Sequence, residues 1–370
     1  MEGSQLASDP VDPVRAGVIG AGLSASIHLA AMRKSRLLEP VAIGARRGER
    51  AASAAIEAGI PLHSDDYKSI CRHEDVEAVI IATPPHLHHP IAIAALEHGK
   101  HVLCEKPMAR NVAEARDMLR IAERVGVVAM LNLQQRFLPE RVAIKRLIES
   151  GYLGEPQAAM IHVTLSSLND PMDRPWGWLM EADKAGGMLG ATGTQYIDAL
   201  QWWFGEVSAV AGTMSTMVKH RRLPDGTGMG KVDADDNFAV VLRFPQGMLA
   251  TVHVTATSGF DGGEEMTFSG SHGQIVLRDG RLWGAQHGTA ELQELAIPGE
   301  QDTGAHYLIA PTVNLQEIFA QAIRDGGPVS PSFAEGVKVQ ELVDAISRST
   351  HQGRWIDTTG SRWPMGSGVG

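Results

Sequence analysis

Between Val14 and about Leu131, short apolar runs alternate with longer stretches whose apolar positions recur every three or four residues. Residues 16–19, 40–43, 78–82, 101–103 and 127–130 are rich in aliphatic and β-branched side chains, as strands buried on both faces require. Helical periodicity fills 26–34, 50–58, 90–98 and 112–124. Strands separated by helices imply right-handed crossovers, so this region predicts a doubly wound parallel sheet, the α/β class. After Asn132 the pattern changes. One helix, 139–150, leads into strand-like segments at 158–165, 207–217, 238–244 and 248–256. Pro245-Gln246-Gly247 between the last two is a hairpin signal, and Gly270-Ser271-His272-Gly273 between 266–269 and 274–277 is another. Tight turns join antiparallel strands, so the second domain is expected to be α+β with a large, mainly antiparallel open sheet. Helices are predicted at 312–324 and 334–350, and the Gly- and Asp-rich stretch 223–235 reads as a mobile loop. The expected division is 14–131 and 132–355, with 1–13 and 356–370 as flexible ends.

Composition narrows the class. With 370 residues, 44% hydrophobic and 21% charged, the chain has the make-up of a soluble globular protein of about two domains. Its net charge of −10 argues against a nucleic-acid partner, which needs a basic face. Two cysteines, Cys71 and Cys104, give neither a disulfide framework nor a paired zinc motif and suit a reducing cytoplasm. The first 13 residues lack the basic start and apolar run of a signal peptide, and no apolar run is long enough for a membrane span.

Gly20-Ala21-Gly22-Leu23-Ser24-Ala25 falls between the first predicted strand and the first helix. In that setting G-x-G-x-x-A is the phosphate loop of a Rossmann domain. Gly20 permits the tight turn, Gly22 lets backbone approach a pyrophosphate, and Ala25 keeps helix and strand close. Leu23 and Ser24 open a helix whose free N–H groups and dipole face the phosphates, with Ser24 and Ser26 as further hydroxyl donors. A carboxylate for the ribose 2′-hydroxyl is expected at the end of the second strand in an NAD site. Gly44-Ala45-Arg46-Arg47 stands there instead, and two guanidiniums suit a 2′-phosphate, so NADP is favoured over NAD.

Two further stretches carry a resemblance. Ala82-Thr83-Pro84-Pro85-His86-Leu87-His88-His89, followed by Gly99 through Cys104-Glu105-Lys106-Pro107, resembles the glucose–fructose oxidoreductase, inositol dehydrogenase and rhizopine catabolism (Gfo/Idh/MocA) family. The resemblance covers nearly the whole chain and implies an NAD(P)-dependent dehydrogenase or reductase acting on a sugar, cyclitol or related small molecule. It implies that Glu105, Lys106, Thr83, Pro84 and His88 border the nicotinamide end of the site. Lys106 would aim its ammonium at the substrate oxygen, where a cation stabilises alkoxide character. The family's second signature, a glycine turn leading into Asp-x-Gly-x-His-x-x-Asp, corresponds to Ala191-Thr192-Gly193-Thr194-Gln195-Tyr196-Ile197-Asp198. Gly193 and Asp198 match; Ala191 and Gln195 replace the Asp and the His. Glutamine can orient an oxygen but exchanges no proton near neutral pH, leaving Lys106, Tyr196 or water for that task.

Other candidates stand beside their bland readings. His86, His88 and His89 match no zinc spacing, so no metal is expected. Trp176 and Trp178 suit an aromatic wall over a ring-shaped substrate, whereas Trp202 and Trp203 suit the core. Tyr196 is a substrate-side candidate. Asp198 shares a helix face with Gln195 and serves either substrate or an interdomain contact; Arg136 faces the cleft or forms an interdomain salt bridge. The competing functions are a lyase- or glycosidase-like enzyme that uses held cofactor transiently, and a non-catalytic nucleotide sensor suggested by Ala191 and Gln195. An uncovered sheet face must be buried or polar, and the resemblance implies that it is buried in a homodimer or homotetramer.

Overall fold

The computed structural model describes residues 12–299 and 306–359. The ends read as flexible lie outside the described residues at 1–11 and 360–370. The first domain runs β1 Val14–Ile19, α1 Leu23–Ser35, β2 Leu38–Gly44, α2 Gly48–Ala58, β3 Leu62–Ser64, α3 Tyr67–Arg72, β4 Ala78–Ile81, α4 His88–Glu97, β5 His101–Glu105, α5 Val112–Val125 and β6 Ala129–Asn132. All six strands are parallel in the order β3-β2-β1-β4-β5-β6, the dinucleotide-binding order. Every residue of β4 and β6 is buried, as a sheet covered on both faces demands. β3 and α3 escape the apolar pattern, because a three-residue edge strand with no buried residue and a six-residue helix carry little periodicity.

The second domain contains α6 Pro139–Glu149, β7 Pro156–Thr164, α7 Thr194–Phe204, β8 Ala209–Ser215, β9 His220–Arg222, β10 Met229–Lys231, β11 Asn237–Arg243, β12 Leu249–Thr255, β13 Gly263–Gly270, β14 Gly273–Arg278, β15 Arg281–Gln286 and β16 Gln293–Leu295. The chain ends in α8 Ile309–Asp325, α9 Phe333–Gln352 and β17 Ile356–Asp357. Nine strands form one sheet in the order β16-β15-β14-β13-β7-β12-β11-β8-β17, antiparallel except where β7 meets β12. Alternate residues along β11 and β12 are buried, so one face packs on the core and the other is left outward.

Two expectations need correction. The stretch 223–235 is not wholly loop, since Met229–Lys231 pairs with His220–Arg222 as a hairpin. The end beginning at 356 starts as strand: Ile356 pairs with Val210 and is buried. The part beyond the division near 131 also sends one helix back to the first domain. Leu315, Phe319 and Ala320 of α8 share a core with Val14, Leu29 and Ile80, so the chain returns to cover the first sheet. Sequence distance hides that return.

Candidate functional site

The carboxyl ends of β1, β2, β4 and β5 lie along one edge and carry the phosphate loop, Arg46-Arg47, Thr83-Pro84 and Glu105-Lys106 respectively. Gly20 has φ +135°, and a Cβ there would lie 2.1 Å from the Ala82 carbonyl oxygen, so only glycine lets β1 turn against β4. A Cβ on Gly22 meets nothing within 4 Å: its space is open on the side where a pyrophosphate would approach the α1 N-terminus. Ala25 is buried behind the loop, and Leu23 is exposed over the first turn. This cradle fits a dinucleotide. Ser26 hydroxyl donates to Leu23 O at 2.7 Å and is already committed, leaving Ser24 as the hydroxyl beside the helix end. Thr83 Oγ1 is buried and without a partner, as a hydroxyl set to meet a ligand would be. Arg46 and Arg47 are exposed just past β2.

Lys106 leaves the end of β5 and reaches across to the second domain, where its Nζ donates to the Ala191 carbonyl at 2.5 Å. Burial holds its pKa below the ordinary lysine value, against the pull of the neighbouring Glu105 charge. Glu105 points the other way. Its carboxylate accepts from Asn132 Nδ2 at 2.7 Å and meets His28 Nε2 at 3.2 Å, and Gln316 of α8 reaches His28 Nδ1 at 3.1 Å. Burial works against its ionisation, but the His28 and Asn132 hydrogen bonds and the Lys106 charge hold its pKa below the usual carboxylate value. Glu105 therefore fixes the loop from inside.

His88, expected beside the cofactor, is fully buried. Its ring nitrogens face the carbonyls of Thr83 at 2.8 Å and Pro107 at 2.9 Å, so it joins the two loops of this edge from behind. Burial lowers its pKa, and the neutral ring donates its single N–H to one carbonyl at a time. His89 pairs with Asp117 at 2.9 Å. Among the described residues no three His, Cys, Asp or Glu side chains form a group able to hold a metal.

On the second-domain side a π-turn, Leu189–Gly193, runs into α7. Such turns often mark functional sites. Gln195 is buried at the start of α7, and its Nε2 donates to Gln134 Oε1 at 3.0 Å. Its own Oε1 is buried with no partner, an acceptor left free for a ligand hydroxyl. One turn on, Asp198 takes a bidentate pair from Arg136: Nε to Oδ2 at 2.7 Å and Nη2 to Oδ1 at 2.5 Å. Arg136 Nη1 also reaches Ser330 and Glu335 at 2.9 and 2.7 Å. Burial opposes its charge, but the Asp198 and Glu335 carboxylates outweigh that and raise its pKa. With all these donors engaged, Arg136 ties the segment after β6 to α7 and α9, and the pair is spent on that tie, which removes both from the substrate set.

Tyr196 also leaves that set. Its hydroxyl donates to Glu264 Oε2 on β13 at 2.8 Å, and the Arg141 guanidinium lies 5.0 Å from its ring. Burial and the Glu264 charge push its pKa up, so it relays no proton near neutral pH. Trp176 is held by the β9–β10 hairpin: its indole N–H donates to Lys231 O at 2.8 Å, and its ring covers Gly230. Trp178 packs half-buried against the second-domain core. His28, Asn132, Gln134 and Gln316 were missed, because their partners lie 27 to 288 residues away in sequence.

Comparison with known proteins agrees with this geometry. Residues 14–133 match the family model described as "Oxidoreductase family, NAD-binding Rossmann fold", and residues 142–276 match the GFO/IDH/MocA C-terminal domain. Levoglucosan dehydrogenase of Pseudarthrobacter phenanthrenivorans is 31% identical over 84% of this chain and 87% of its own. A human glucose-fructose oxidoreductase domain-containing protein is 29% identical over 92% of both chains. A levoglucosan dehydrogenase structure in complex with NADH and levoglucosan superposes with a TM-score of 0.86 at 30% identity, covering 93% of this chain and 99% of that one.

Proposed function

The chain belongs to the Gfo/Idh/MocA family of NAD-binding oxidoreductases, and on that premise we propose that it exchanges a hydride with a hydroxyl-bearing or carbonyl carbon of a sugar, cyclitol or related polyol. The observation that carries this reading is Lys106. It is a half-buried amine with lowered pKa at the edge that bears the open Gly22 cradle, held by the Ala191 carbonyl. When bound, the nicotinamide supplies the hydride acceptor or donor. An ammonium has three N–H donors, so Lys106 keeps two for a substrate oxygen after meeting Ala191. As the amine it accepts the hydroxyl proton; as the ammonium it returns one to a carbonyl oxygen. Gln195 accepts a neighbouring hydroxyl through its free Oε1 and orients the ring, with no part in proton transfer. Of the side chains weighed for the proton task, Lys106 is the one that remains.

Relatives characterised with NADH, levoglucosan and L-sorbose make anhydrosugars and ketohexoses the first ligands to try. Absorbance of reduced nicotinamide, followed over such a panel with Lys106→Ala as control, tests the reading. Turnover by the wild type that survives this substitution counts against the role given to Lys106, and reduced nicotinamide that never appears counts against dehydrogenation. At the adenosine end, Arg46 and Arg47 favour the 2′-phosphate of NADP. The outward face of the nine-stranded sheet bears exposed Met160 and Leu249, and it joins copies of the chain as a homodimer or homotetramer. Light scattering showing a single 39.7 kDa species would sink that assembly. No helix among the described residues is long and apolar enough to cross a membrane.

A further inference from the structure

The glycine turn ahead of α7 is shaped by a carboxylate from the loop between β10 and β11. Gly187 has φ +95°, and a Cβ there would lie 2.0 Å from Asp235 Oδ1. The other oxygen of that carboxylate accepts the Leu189 N–H at 2.9 Å, while the Asp235 backbone carbonyl accepts the Met188 N–H at 3.0 Å. One residue thus fixes three consecutive ones. From there Ala191 N–H returns to Gly187 O at 3.0 Å, which begins the π-turn and presents the Ala191 carbonyl to Lys106 Nζ.

We propose that Asp235 is the positioning residue for Lys106: by fixing the turn at Gly187–Leu189 it sets the carbonyl that orients the lysine ammonium. The proposal rests on the reading of Lys106 as the group that works on the substrate oxygen. The adjacent acids show what distinguishes Asp235. Asp236 turns to the opposite side and clamps the Met217 and Val218 N–H groups, and Asp233 accepts from Ala182. Of these three carboxylates, Asp235 is the one bonded to the segment that reaches Lys106. Its site is expensive to ionise: burial and the Asp236 charge push its pKa up to about 6 even though Leu189 and Met188 lie against it. A carboxylate held in such a place, with glycine required opposite it, marks a contact whose geometry matters. The same turn forms one wall of a groove of about 590 Å³ that Pro107 and Gly190 line on the way to the Lys106 loop.

Competitive acetylation with acetic anhydride, read by peptide mass mapping, reports Lys106 reactivity without any substrate. In Asp235→Ala the turn relaxes, the ammonium loses its acceptor, and Lys106 labels roughly tenfold faster while Lys100 and Lys145 label as before. Asp235→Asn keeps an oxygen for the Leu189 N–H and restores labelling close to wild type. Asp235→Glu keeps the charge but displaces the carboxylate by a methylene, so it raises Lys106 labelling and serves as the second variant if the alanine form does not fold. Lys106 labelling unchanged in a folded Ala or Glu variant overturns the proposal. A labelling response in a protein that oxidises no sugar leaves this inference standing and overturns the substrate reading; sugar oxidation without a labelling response does the reverse.

Discussion

The two walls of the cleft are built by different means. The first is backbone: Gly20 turned hard against Ala82, Gly22 left open, and a helix end that bonds phosphates through N–H groups. The second is a set of side chains, each meeting a partner from elsewhere in the chain: Lys106 with Ala191, Arg136 with Asp198 and Glu335, Leu189 with Asp235. A backbone wall tolerates almost any side chain provided its glycines remain. A side-chain wall can be retuned one residue at a time. Ala191 and Gln195 stand where the family pattern has an acid and a histidine, while the glycine loop follows its pattern. Cofactor binding and substrate chemistry can therefore change independently.

Substitutions on each wall should separate these roles. Lys106→Ala is expected to lower kcat about a thousandfold while NADH affinity, from fluorescence titration, stays near wild type. Retained turnover would shift the chemistry off the second wall. The pH profile follows from the lowered Lys106 pKa. Oxidation needs the free amine, so its rate rises as pH climbs through a pKa below that of ordinary lysine, and carbonyl reduction falls over the same range. Arg136→Ala leaves the buried Asp198 carboxylate unpaired and should cost about 3–5 kcal/mol in denaturant unfolding. A loss comparable to that of an exposed ion pair would mean that this tie contributes little to holding the segment after β6 against α7 and α9.

On the backbone wall, the two glycines should fail in opposite ways. Gly20→Ala drives a Cβ into the Ala82 carbonyl and should destabilise the apo protein by roughly 1–3 kcal/mol. Gly22→Ala meets open space, so its apo stability should stay within about 0.5 kcal/mol of wild type while dinucleotide affinity falls. Thermal melts with and without NADH distinguish the two. If Gly22→Ala binds cofactor normally, the pyrophosphate does not pass where the cradle opens.

Legibility in the sequence follows the same division. Gly20, Gly22 and Ala25 could be read because a local turn fixes their spacing, and Lys106 because Glu105-Lys106-Pro107 is contiguous with its strand. The edge strand Leu62–Ser64 and the return of α8 to the first sheet were not legible, one for want of periodicity and the other for lack of any local sign of its destination. Asp198 and Arg136 were each read with two possible roles, and what decided between them was their pairing with each other across 62 residues. Tyr196 shows the same limit in reverse. Helix geometry placed it away from Gln195, but its Glu264 partner on β13 could be seen only in the fold.

The smallest effect concerns the remaining side-chain contact on the backbone wall. Arg46 and Arg47 follow β2 at the point where a carboxylate would select NAD, and both are exposed. A guanidinium meeting a 2′-phosphate in solvent gains a charge-assisted hydrogen bond that is screened by salt, worth about 1–1.5 kcal/mol, or roughly tenfold in affinity. Arg46→Ala and Arg47→Ala should therefore weaken NADPH by about that factor, leave NADH nearly unchanged, and do so less at high ionic strength. The ratio of the two dissociation constants, measured by fluorescence in low and high salt, is the quantity to follow. Equal losses for both nucleotides would place the arginines on the pyrophosphate, and no loss for either would return them to a solvated turn ahead of α2. Only a loss confined to NADPH makes this wall selective as well as receptive.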